Sequence, residues 1–87
     1  MTYNDRDPGK IVEYIHEHYP EATWAKGFDD CILGISSKGK IVYSQVHIIN
    51  KLVRRDKMEW DEAVEFFHYN IEGAHVGENT PIYMEML

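Results

Sequence analysis

With 87 residues, 44 % hydrophobic and 13 % aromatic, the chain has room for one domain with one core and is too apolar to remain disordered. Its formal charge of -6 disfavours nonspecific nucleic-acid binding, which needs a net basic face. The single cysteine, Cys31, excludes an intrachain disulfide and a thiolate-rich metal site, no apolar run is long enough for a membrane span, and the polar stretch from Met1 to Lys10 lacks a signal-peptide pattern, so the expected setting is cytoplasmic.

In chain order, Asp7-Pro8 predicts an N-cap followed by proline in the first helical turn, where its missing N-H costs nothing. The helix is expected to run to about Tyr19, with Ile11, Val12, Ile15 and Tyr19 on its apolar side, and to close before Pro20. Trp24 and Phe28, in the following connection, are expected to fold back over the core. Residues 31–35 predict a buried strand, 36–40 a turn with a glycine for positive φ, and 41–43 its hairpin partner.

Ser44 predicts the cap of a second helix, with Ile48, Ile49, Leu52 and Val53 facing inward. After a break at 57–59, a third helix is expected over 60–71, its stripe made of Trp60, Ala63, Val64, Phe67 and Ile71. Gly73 ends it, a glycine-containing loop follows, and Pro81 admits a last strand over 82–86. The fold class is therefore α+β, a small three-stranded sheet with three helices in the order α-β-β-α-α-β. The strand order is left open, and an exposed sheet edge is expected either way.

Charge is unevenly spread. Lys51, Arg54, Arg55 and Lys57 form a basic patch on the second helix, while the rest of the chain carries a net -9. Two Glu-x-x-His spacings, Glu13 with His16 and Glu65 with His68, match half of a di-iron carboxylate arrangement, but all four residues fall on polar helix faces. Neither a metal nor a cofactor is expected, and no catalytic residue is assigned. Asp29 and Asp30, just before the first strand, suit a turn better than a cation or acid-base site, and Cys31 suits a buried structural thiol. The segment from Gly73 to Pro81 is the candidate ligand or partner loop: its glycines permit close approach, and His75, Gly77, Glu78, Asn79 and Thr80 bring polar or conformationally free positions. Asn70, beside the apolar stripe, is expected to be partly buried and to shape that loop through its amide.

The residues Phe28 to Ile35, Val42-Tyr43, Glu62 to Phe67, and above all Tyr69-Asn70-Ile71, Gly73-Ala74 and Val76 to Ile82 resemble a family of short uncharacterised bacterial and bacteriophage proteins. The resemblance covers about two thirds of the chain, from Phe28 onward, and implies a cytoplasmic prokaryotic or phage setting without supplying a reaction. Met58-Glu59-Trp60 departs from the Met-Ser or Met-Thr helix start expected of that family.

Three functions follow in order of expectation. The first is a small acidic interaction or regulatory protein without catalytic activity, with the phage or bacterial setting that the resemblance implies, that binds a protein partner or a second copy of itself as a homodimer. The second is a binding module for an anionic metabolite or nucleotide, built from the 73–81 loop and the basic patch. An enzyme using Asp29, Asp30 or His75 comes last, because no motif brings nucleophile, base and stabilising donors together.

Overall fold

Asp7 and Pro8 start the first helix as their chemistry dictates. In the computed structural model, which describes residues 7–74 and 77–87, the Asp7 carboxylate accepts the Gly9 N-H at 2.9 Å and α1 spans Pro8–His18. Ile15 is buried, and Ile11 and Tyr19 pack against the same core. The connection that follows is held at its middle by two contacts. The His16 ring stacks on Trp24 with centroids 4.7 Å apart, and the Ala25 N-H donates to the Tyr43 hydroxyl at 2.8 Å. Phe28 is buried, as expected of a large apolar side chain in this connection.

Asp29–Cys31 form one 3₁₀ turn, so Cys31 belongs to that turn and not to the strand expected over 31–35. Strand β1 covers Ile32–Ile35 and β2 covers Ile41–Ser44. Their antiparallel register pairs Ile32 with Tyr43, Gly34 with Val42 and Ile35 with Ile41, leaving Leu33 as a bulge. The turn between them has Gly39 at φ 79°, and the Ser36 hydroxyl accepts the Lys38 and Lys40 N-H groups at 3.3 and 3.1 Å.

Ser44 is both the last residue of β2 and the cap of α2, Gln45–Arg55. Its side-chain oxygen accepts the His47 N-H at 3.3 Å and lies 2.6 Å from His47 Nδ1, which satisfies a fully buried hydroxyl. The inward face of α2 is Ile48, Ile49 and Leu52. Lys57 ends the helix at φ 59°, the left-handed region that favours glycine, and the Asp56 and Met58 N-H groups both return to the Leu52 carbonyl, at 3.1 and 3.4 Å.

The third helix begins where expected and then changes character. The Glu62 side chain accepts the Glu59 N-H at 3.3 Å, so this start supplies half of a capping box despite lacking Ser or Thr. α3 covers Trp60–Phe66, and Phe67–Glu72 continue it as a π-helical segment in which Gly73 N-H reaches back five residues to His68 O at 3.1 Å. Ala63 and Phe67 are fully buried. Trp60, expected in the inward stripe, is 47 % exposed because it occupies the first helical position, beyond the end of the core.

Strand β3, Ile82–Met84, is shorter than the expected 82–86 and pairs parallel to β2, with Val42 opposite Ile82, Tyr43 opposite Tyr83 and Ser44 opposite Met84. The strand order is β1-β2-β3, so among the described residues β1 and β3 are the edge strands. The result is an α+β fold with three helices and a mixed three-stranded sheet in the order α-β-β-α-α-β. Residues opposite one another on neighbouring strands share a face. Ile32, Tyr43 and Tyr83 therefore point into the helix-covered core, where Tyr83 stacks on Tyr43 at 5.8 Å and meets Phe67 edge-on at 5.2 Å. The opposite face presents Gly34, Val42, Ile82 and Met84, the last two 39 % and 44 % exposed.

Candidate functional site

Two of the four cations of the basic patch are engaged in surface ion pairs. Lys51 Nζ donates to Asp30 Oδ1 at 2.8 Å, and Arg55 forms a two-pronged pair with Asp56 at 2.9 and 3.0 Å while also donating to the Gly27 carbonyl at 3.2 Å. Both cations lie over the Phe28 ring, at 5.9 Å for Lys51 and 5.0 Å for Arg55. Arg54 and Lys57 are exposed and have no such partner among the described residues. The hydrogen bond from Lys51 lowers the Asp30 carboxyl below its ordinary value, so the stabilisation it contributes is present above that ordinary value and is lost as pH falls through the folded one.

Asp29 and Asp30 line a cleft of about 220 Å³ with Pro8, Ile11, Cys31 and His47. Glu78 does not join them, and His75 lies outside the described residues. Among the described residues no group of three or more His, Cys, Asp and Glu side chains is placed to hold a metal ion. Glu13 and His16 stay exposed on α1, and His68 is tied to Glu72 at 2.7 Å. The Cys31 thiol is pushed up to about 12, first by burial and then by the Asp30 carboxylate, to which it donates at 3.6 Å. A thiol held protonated is a poor nucleophile. Iodoacetamide at pH 8.5 is therefore expected to alkylate native Cys31 at least tenfold more slowly than the urea-unfolded chain, with mass spectrometry as the readout. Equal rates would refute the burial of the thiol.

The loop ending at Pro81 is closed on itself. Gly77 sits at φ 99°, and its carbonyl accepts both the Thr80 hydroxyl at 2.6 Å and the Thr80 N-H at 3.3 Å, a turn that leads directly into β3. Glu78 is exposed, Asn79 half-buried and Pro81 buried. Asn70, expected to be partly buried, is instead exposed and makes no hydrogen bond to the described part of this loop. The cause is the π-helical segment: its wider turns hold more residues than the 3.6 of an α-helix, so positions after Phe67 lag the regular projection and Asn70 swings off the core face. There it borders a second cleft of about 200 Å³, walled by Trp24, Phe28 and Tyr83 and rimmed by Lys26, Asn70 and Ala74.

A different feature of the sequence gains meaning in three dimensions. No lysine or arginine follows Lys57, so residues 59–87 carry seven acidic groups uncompensated, a formal -7, while residues 1–57 carry +1. Seven of the nine large hydrophobic residues exposed among the described residues also belong to 59–87: Trp60, Phe66, Tyr69, Ile82, Met84, Met86 and Leu87. Dividing the charge at Lys57, instead of around the 51–57 cluster, reveals that asymmetry from the sequence alone. The pairing of Val42 with Ile82 and the edge position of β3 were not legible without the strand order.

The chain matches no protein-family model, no curated protein and no solved structure. No helix among the described residues is long and apolar enough to cross a membrane.

Proposed function

We propose that this is an acidic protein-interaction module that receives a basic, partly apolar segment of a partner protein on its β3 side, without catalysing a reaction. The observation that carries the reading is the coincidence, within the C-terminal third 59–87, of a formal -7 with most of the exposed hydrophobic side chains, two of which, Ile82 and Met84, sit on a strand that is at the sheet edge among the described residues. Large exposed apolar side chains mark contact surfaces, an open strand edge accepts a further strand, and uncompensated charge of one sign attracts the other. Self-association through the same C-terminal third would bring two such charges together, which favours a different, basic protein over a second copy. The bacterial or bacteriophage setting implied by the resemblance belongs to this same proposal.

The anionic-ligand reading has less to draw on. Two of the four patch cations are occupied by carboxylates, and the cleft beside the 73–81 loop has one cation, Lys26, on its rim.

The test is selection of displayed random peptides on the immobilised protein. Enriched peptides are expected to be net positive with at least one large apolar residue, to lose association rate about tenfold or more between low and high salt, and to bind at least tenfold more weakly to an Ile82→Lys, Met84→Lys double variant. No enrichment over a blank surface, or enriched peptides indifferent to both salt and the double variant, would sink the proposal.

A further inference from the structure

The two edge strands of the sheet are not equally open to a further strand. Along β1 the bulge at Leu33 interrupts the ladder, and Gly34 offers no side chain to an incoming residue. Leu33 also borders the first cleft with Pro8 and Ile11, so α1 stands beside part of this strand. β1 then runs into the turn that carries Lys38 and Lys40, cations that repel a basic segment. β3 keeps one register from Ile82 to Met84 without a bulge, and both of those side chains are exposed on the face away from the helices. Its surroundings are acidic: Glu78 and Glu85 are exposed, and Glu72 lies close enough to Tyr83 to add to the upward shift that burial gives its phenol.

We infer that the basic partner segment adds as a fourth strand along β3 and not along β1, with two apolar residues at positions i and i+2 beside Ile82 and Met84 and its cations at the Glu85 end. The inference rests on the interaction reading and names the conformation and residue pattern of that partner. Successive residues of an added strand alternate between faces, and backbone pairing gives it affinity while its side chains give it selectivity. Residues opposite Ile82 and Met84 share the outer face with them, so they are two apart, and the residue between falls on the Tyr83 side. Because β3 runs parallel to β2, it starts level with Val42, close to the turn with Lys38 and Lys40, and ends level with Ser44. Lys26 stands on the core side, on the rim of the second cleft beside Tyr83. A partner's cation is therefore repelled from the start of the strand and attracted to its end, where Glu85 follows Met84.

The experiment uses two peptides of one composition, acetyl-Arg-Lys-Ile-Thr-Val-Thr-amide and acetyl-Arg-Lys-Ile-Val-Thr-Thr-amide, in NMR titrations of the whole chain with amide hydrogen exchange read alongside. The first, whose apolar residues share a face when extended, is expected to bind about fivefold or more tightly than the second. It is also expected to slow exchange at those amides of 82–86 that point away from β2, and to leave the amides of 32–35 unchanged. N-methylation of single peptide nitrogens should weaken binding about fivefold at alternate positions and little at those between. No saturable binding, slowed exchange at β1, or N-methyl effects without a period of two would each overturn the inference. So would outward β3 amides already protected in the protein alone, whether by a second copy, when protection rises with protein concentration, or by the chain itself. Equal, salt-sensitive binding of the two peptides that is lost on the Ile82→Lys, Met84→Lys protein would overturn it too, while leaving the interaction reading standing.

Discussion

Phe67→Ala is expected to remove about 3–5 kcal/mol of stability, measured as the change in urea midpoint at constant slope. A chain of 87 residues has roughly 4–13 kcal/mol in total, at 0.05–0.15 kcal/mol per residue, so the variant should be largely unfolded or molten at the low end of that range. Phe67 is fully buried at the junction between α3 and the π-helical segment, and it meets Tyr83 edge-on at 5.2 Å. Truncation removes the ring's own burial, leaves a cavity between helix and sheet, and takes the support from the tyrosine that walls the second cleft. Phe66→Ala, one residue earlier but 37 % exposed, should cost less than 1 kcal/mol. If the two substitutions cost the same, the assignment of inward and outward positions on this helix is wrong.

That contrast shows what could be read from the residues and what could not. The Asp7 cap, the Ser44 cap, the glycine turn at 36–40 and the inward face of α2 each depend on chemistry within four residues of chain, and each stands where local rules predict. Phe67 and Ala63 were legible for the same reason, since the helix expected over 60–71 is regular up to the point where Phe67 begins the π-helical segment. Asn70 was not, because nothing in its neighbours announces that the turn will widen. The pairing of Lys51 with Asp30 spans 21 residues and depends on where the 3₁₀ turn meets α2, so two of the four cations of the sequence patch are carboxylate-bound over a phenylalanine while Arg54 and Lys57 stay exposed. The loop from Gly73 to Pro81 drew attention through its polar residues, yet the described part of it spends its glycine and threonine on closing a turn. The exposed hydrophobic residues of β3 are visible as letters, but which of them share a face with Val42 follows only from the parallel register.

Tyr43→Phe probes the longest-range polar contact of the core and is expected to cost about 1–3 kcal/mol at neutral pH. The Tyr43 hydroxyl accepts the Ala25 N-H at 2.8 Å, and phenylalanine keeps the ring and its stacking on Tyr83 while leaving that donor without its acceptor. Protection of the Ala25 amide against hydrogen exchange should fall with it, because this bond fixes the middle of the connection between α1 and β1 to the central strand. The penalty should also depend on pH with a definite sign. Burial pushes the Tyr43 phenol up to about 12 from its ordinary 10.0, so above pH 10 the unfolded chain releases a proton that the folded chain retains. The parent protein therefore loses stability on this account as pH rises from about 10 toward 12, on the order of 2 kcal/mol across the window, whereas the phenylalanine variant has no such proton to release. Cys31 behaves alike in both proteins and cancels in the comparison. Denaturation curves at pH 7, 9 and 11.5 should accordingly show the stability gap constant between the first two and narrowed at the third. A gap that stays constant to pH 11.5, or widens, would mean that the Tyr43 hydroxyl is not held away from water in the folded protein.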